Sequence, residues 1–405
     1  MKWKVFLPGN CIERVENRVH ELAESVAAFD LMDVGLMGGV AGVACFCAYY
    51  ADWMSDLRFK GLVGEMVERM LNPPAGHLPG YSFSNGYAGI AWSIHHLIEN
   101  KLLDLDASQI YMQLDQLLAD RMLEEIKRGH YDYLHGALGI AVYFLHQAEN
   151  NEYRNYLSSL VEELENISIE EADGSIKWNS LLDAESKKEG FNLSMSHGIA
   201  SIMIIVSMIH QKGIAIVSCE RLIKGAYSYL RKQALKATEY ISVYPSWAIE
   251  SMDDPGNSRM AWCYGDMGIG FACMRAGKTL KDEEMYGHGE AILRRSGERR
   301  DPEENRVLDA GLCHGAAGLA LMFNSLFQIK HDDLFGDAAA YWMDVCLNMA
   351  YHSDGIAGYK AWYHPRYGGW VKVPGLLEGA AGIGLTMMSF VSTREPAWRK
   401  ALLVD

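Results

Sequence analysis

Residues 314–326 read HGAAGLALMFNSL, and this stretch decides the fold because its pattern recurs along the whole chain. A Gly-x-x-Gly unit opens it and an apolar run follows. The other copies are GGVAGVACFCAYY at 38–50, NGYAGIAWSIHHL at 85–97, HGALGIAVYFLH at 135–146, HGIASIMIIVSMI at 197–209, YGDMGIGFACM at 264–274 and EGAAGIGLTMMSF at 378–390. Their first glycines, the anchors, are Gly39, Gly86, Gly136, Gly198, Gly265, Gly315 and Gly379. Only the fourth copy departs from the pattern, with Ser201 where the second glycine would stand. Recurrence at this period marks a repeat architecture in which each unit buries its apolar face against its neighbours.

Each apolar run is of helical length and rich in Ala, Leu, Met and Ile. More polar stretches lie between the copies, such as 107–127 and 219–237, whose apolar residues fall at helical spacing. A unit therefore reads as an outer amphipathic helix, a loop, and an inner helix that is apolar all round and must be buried. Seven such pairs closing on themselves predict an all-α fold, an α/α toroid of seven inner and seven outer helices. An open solenoid would need polar end caps, and the first and last copies are as apolar as the middle ones. No linker or composition shift divides the chain, so residues 1–405 are expected to form one domain.

Composition narrows the function. A formal net charge of −15 argues against nucleic acid, whose phosphates need basic surface. The apolar stretch at the N-terminus is too short for a signal peptide, and runs such as 199–209 fall short of a membrane span. A soluble cytoplasmic protein without membrane insertion is expected. Eight cysteines in 405 residues do not make a disulfide scaffold. Cys45, Cys47, Cys219, Cys273 and Cys346 sit among apolar neighbours and read as inert buried thiols, whereas Cys11, near the terminus, is uninformative.

Equivalent repeats gather the residues just before each anchor glycine at one rim, at the N-terminal ends of the inner helices. The position before the anchor holds Gly38, Asn85, His135, His197, Tyr264, His314 and Glu378. One step earlier stand Cys263 and Cys313, in consecutive copies. Cys263, Cys313 and His314 thus form a three-ligand set suited to Zn2+, leaving a fourth tetrahedral position open as catalytic sites do. Helix N-termini favour thiolates there. An open zinc site with two thiolate ligands is better suited to holding a substrate thiol as thiolate than to polarising a carbonyl.

The SHG at 196–198, WCYG at 262–265 and CHG at 313–315, with the seven-fold repeat over essentially the whole chain, resemble the lanthionine synthetase C-like cyclases. The resemblance implies an α/α toroid with a central zinc held by Cys263, Cys313 and His314. It also implies lanthipeptide biosynthesis: a peptide cysteine thiol adds to dehydroalanine or dehydrobutyrine, closing a lanthionine or methyllanthionine ring. By the same resemblance His197 is the catalytic acid or base, Asp132 supports it, and Arg259 and Tyr264 are further active-site residues. Arg259 would stabilise the enolate. The implied partners are a dehydrated precursor peptide, a separate dehydratase and an exporter.

Bland readings stand beside these. His197 could be a hydrogen-bonded core residue and Asp132 a cap for the third inner helix. His135 reads as a rim-lining residue outside the catalytic set, and Glu378 as structural. The aromatic segments 244–247 and 359–370 could form a peptide groove or a hydrophobic cover. Other functions also remain open. They are glutathione addition to dehydroamino acids, a prenyltransferase-type zinc thiol alkyltransferase, and a peptide-binding scaffold with structural zinc.

Overall fold

The computed structural model describes residues 3–7, 9–74, 76–146, 149–183, 187–249, 252 and 254–405. Helices dominate and alternate in two kinds. The apolar copies form the inner series α2 (Val40–Met54), α4 (Tyr87–Glu99), α6 (Ala137–Leu145), α8 (Ile199–Gln211), α10 (Asp266–Leu280), α12 (Ala316–Lys330) and α14 (Ala380–Val391). The amphipathic series is α1 (Gly9–Ala27), α3 (Leu57–Leu71), α5 (Ser108–Lys127), α7 (Asn151–Asn166), α9 (Ile216–Lys232), α11 (Glu283–Glu298) and α13 (Asp333–Asn348). The stretches 107–127 and 219–237 thus correspond to α5 and α9, the latter ending at Lys232. Among the described residues no helix is long and apolar enough to cross a membrane.

The two series start by different chemistry. Among the described residues four amphipathic helices are capped by side chains: Asp56 accepts from the Arg58 N–H, Asn150 from Glu152, Asp282 from Met285 and Asp332 from Leu334. Every inner helix starts instead at its anchor glycine, with no side-chain cap. The chain before each anchor folds back under it. A Cβ at Gly39, Gly136, Gly198 or Gly379 would lie 2.1–2.4 Å from the carbonyl oxygen six residues upstream. The next amide usually donates to the carbonyl seven residues upstream, as Ala137 does to His130 and Ala316 to Asp309. Gly265 has the same close approach and also a φ of +89°, which a side chain would strain.

The second glycine of the motif costs helix stability, about 1 kcal/mol relative to Ala. Close packing overrides that cost: a Cβ at Gly42, Gly89, Gly318 or Gly382 would stand 1.9–2.2 Å from a carbonyl oxygen of its own loop. In the fourth copy Ser201 satisfies its hydroxyl by donating to the Gly198 carbonyl at 2.8 Å. Inner faces are buried all round, with every residue of α2 from Val40 to Ala51 and of α12 from Ala316 to Leu326 out of water.

The chain forms two compact units, Met1–Met112 with Gly297–Asp405, and Gln113–Ser296. Within the first, one backbone bond links successive copies two residues before the anchor. Cys313 N donates to Leu377 O (2.8 Å), Leu377 N to Met37 O (2.9 Å) and Met37 N to Ser84 O (2.7 Å). The last copy therefore adjoins the first, in the same sense as its other neighbour. Within the second unit Met195 N donates to Cys263 O at 3.1 Å, joining the fourth and fifth copies in that sense. A short sheet pairs Ser180–Asp183 with Lys188–Asn192, and the latter with Trp247–Ala248.

Candidate active site

In the unit Gln113–Ser296, the loops before α6, α8 and α10 and the Ser180–Asp183 strand enclose a cleft of about 460 Å³. Asp132, His135, His197 and Tyr264 line it, with Tyr131, Asn192 and Leu182 among the rest. Asp132 does not cap α6, whose first turn takes no side-chain bond, but its two oxygens serve two neighbours. Its Oδ1 accepts the His135 backbone N–H at 2.8 Å, closing the turn before α6, and its Oδ2 lies 2.6 Å from His197 Nδ1. The His197 backbone N–H in turn donates to Ser194 Oγ at 3.0 Å. The ring is thus held at Nδ1 and the backbone at its amide.

The electrostatics follow from this pair. Burial works hardest against a charged His197, but the Asp132 hydrogen bond and charge, helped by the Cys263 sulfur, leave its pKa above the ordinary value. Burial also opposes ionisation of Asp132, yet its bonds to His197 and the His135 amide hold it below the usual carboxylate range. His135 stacks on His197, centroids 5.9 Å apart. Its pKa is lowered, chiefly by burial, so the two stacked imidazoles are pushed in opposite directions.

The Tyr264 ring lies 6.0 Å from that of His197, and Trp247 meets Tyr264 edge-on at 6.1 Å. Trp247 thus packs against a cleft residue without lining the cleft itself. Tyr244, in the same segment, is core: it is fully buried, and its amide donates to the buried Asp266 carboxylate. Cys263 is 5% exposed, two residues before Gly265, the anchor of α10. Arg259 is half-buried in the extended segment before Cys263, and its side chain does not line the cleft.

In the unit holding Gly297–Asp405, Cys313 and His314 precede α12. The Cys313 sulfur and a His314 ring nitrogen lie within 4.8 Å of each other. Cys313 is 9% exposed. Behind the histidine stands Asp309, 2% exposed, with Oδ2 at 3.6 Å from His314 Nε2. The Glu378 carboxylate accepts the Tyr363 hydroxyl, and its backbone packs against Gly311. The segment 359–370 holds a buried Tyr359 and a Trp362–Trp370 ring pair 5.1 Å apart.

The donor set suits zinc. Two sulfurs and one imidazole are a known catalytic ligand combination, and the start of an inner helix favours thiolate at each cysteine. The remaining thiols behave otherwise. Burial pushes Cys45, Cys47, Cys219, Cys273 and Cys346 up to about 12, so they stay protonated. All eight cysteines are free of disulfides.

Sequence reasoning placed His135 at the rim without a role and missed Asp309. His135 shares a slot with His197 and His314, and that signal was available. Asp309 is tied in by the Trp362 amide, 53 residues away, which no local pattern shows.

Comparisons agree with this architecture. A curated relative, "Nisin biosynthesis protein NisC" of Lactococcus lactis subsp. lactis, is 24% identical over 401 residues, covering 93% of this chain and 90% of the relative. A solved structure named "Nisin cyclase" superposes with a TM-score of 0.76 at 20% identity, over 98% of both chains. That likeness establishes the fold class, the expected α/α toroid. A model of the family "Lanthionine synthetase C-like protein" matches residues 30–403. This chain therefore belongs to the lanthionine synthetase C-like family, as an enzyme of the cyclase type.

Proposed function

We propose that the protein is a zinc-dependent lanthipeptide cyclase, with the ion held by Cys263, Cys313 and His314. The observation that carries this reading is the Asp132–His197 pair in its cleft, 2.6 Å between Oδ2 and Nδ1, with the Cys263 sulfur close enough to act on the imidazole. A proton-transfer group is thereby coupled to a thiol that the repeat register pairs with Cys313 and His314. Bound zinc would supply a substrate thiol as thiolate at neutral pH.

The reaction is an isomerisation. The cysteine sulfur bonds to the β-carbon of dehydroalanine or dehydrobutyrine, and the alkene π bond breaks. Its electron pair moves toward the neighbouring carbonyl, and the proton lost from the thiol is replaced at the α-carbon. Protonated His197, held by Asp132 with Nε2 free to turn to the substrate, delivers that proton. Tyr264 lines the cleft beside His197, with Trp247 packed against it. Arg259 serves as the enolate's cationic partner, an assignment that rests on the family resemblance.

The substrate is a dehydrated precursor peptide made in the cytoplasm by a separate dehydratase and passed on to an exporter. Eight cysteines without a disulfide suit a reducing compartment. The His197→Ala variant tests the reading. Ring closure is expected to fall about 10²–10⁴-fold with zinc content unchanged. Unchanged closure would remove the catalytic role.

A further inference from the structure

We infer that Asp309 is a positioning residue for the metal: it accepts the Nε2 proton of His314 and so commits Nδ1 to the ion. The inference rests on the zinc reading and adds the tautomer, the donor atom and the residue that sets them.

Asp309 is only 2% exposed. Its Oδ1 accepts the Gly311 amide at 3.0 Å, and its Oδ2 accepts the Trp362 amide at 2.8 Å. Two backbone donors fix the plane of the carboxylate, and Oδ2 retains a lone pair. His314 Nε2 lies 3.6 Å from that oxygen, and the histidine side chain is 16% exposed. Closing that gap takes a few tenths of an ångström. A buried carboxylate attracts an N–H and repels a ring lone pair, so the proton sits on Nε2.

The repeat supplies a control. In the fourth copy the residue equivalent to Asp309, six before the anchor, is Asn192, which makes the same turn by accepting the Ser194 amide at 3.0 Å. The turn therefore does not require a charge. The histidine in that copy, His197, takes its carboxylate from Asp132 instead. Each of the two rim histidines proposed to work is matched to one carboxylate, by two different routes. A metal-bound histidine whose other nitrogen donates to a carboxylate is a better and better-oriented ligand, and loss of such a partner costs about 10–100-fold in metal affinity.

Two measurements test this on the full chain. Competition against a chromophoric chelator gives the zinc affinity of wild type and Asp309→Asn. A 10–100-fold loss in a variant with wild-type circular dichroism is expected, and equal affinity overturns the inference. Nitrogen-15 histidine NMR of the zinc-loaded wild type reads the tautomer without any substitution. It decides the matter if Asp309→Asn does not fold. An Nε2–H tautomer at His314 is expected, and an Nδ1–H tautomer overturns the inference while leaving the zinc reading intact. A wild-type protein that binds no zinc removes both.

Discussion

Asp132 sets the charge state of His197, so its replacement by Asn has a signed consequence. His197 has a raised pKa in which Asp132 is the main opponent of burial. Without that charge the imidazole loses its proton at lower pH. If His197 donates the proton to carbon, activity needs the protonated ring and falls as pH rises through its pKa. The alkaline limb of kcat/KM should therefore move to lower pH in Asp132→Asn, as read from a pH series with both proteins. A limb that stays in place would detach the carboxylate from the acid. His135, stacked on the same ring with its own pKa lowered, gives no matching limb because it is already neutral there.

At the scale of helices and loops, the glycines separate into two classes that Ala substitution distinguishes. Gly89 lies where a Cβ would meet Phe83 O at 2.0 Å. Gly89→Ala should destabilise by about 1–3 kcal/mol or more through overpacking, measured by denaturant unfolding. Gly61, on the exposed face of α3, has nothing within 4 Å of its Cβ position. Gly61→Ala should stabilise by about 0.5–1 kcal/mol. Equal effects at both positions would contradict the account of the motif. The same contrast explains what the sequence could reveal. Inner helices were legible because they are apolar on every face, and their starts because each anchor glycine sits under its own loop. The Cys313–His314 pair was legible by register. The strand pairing of 188–192 with 247–248 and the Trp362–Asp309 bond were not, because both join segments more than 50 residues apart and each takes at least one partner from the backbone, which every residue carries. Asp132 left two readings open because a helix cap and a histidine partner call for the same residue type; here the carboxylate bonds the His135 amide in the loop and the His197 ring, and α6 has no side-chain cap.

For the whole molecule, the repeat extends from the first copy to the last without a break, and the unit containing both chain ends closes through Leu377 N to Met37 O. Residues 113–296 are inserted in sequence between the two segments of that unit, so the chain crosses between the units twice. We therefore propose that residues 1–405 unfold as one cooperative domain. Calorimetry should give a single transition with equal calorimetric and van't Hoff enthalpies, and two resolved transitions would contradict that. The most direct test of the zinc-cyclase claim uses the fact that ring closure leaves mass unchanged while consuming a thiol. A synthetic peptide carrying one dehydroalanine and one cysteine is incubated with the protein, then alkylated with N-ethylmaleimide and weighed. The account predicts that the zinc-loaded protein abolishes alkylation at constant peptide mass, and that chelated protein and Cys313→Ala do not. Loss of the free thiol at the same rate with zinc-loaded, chelated and Cys313→Ala protein would contradict it.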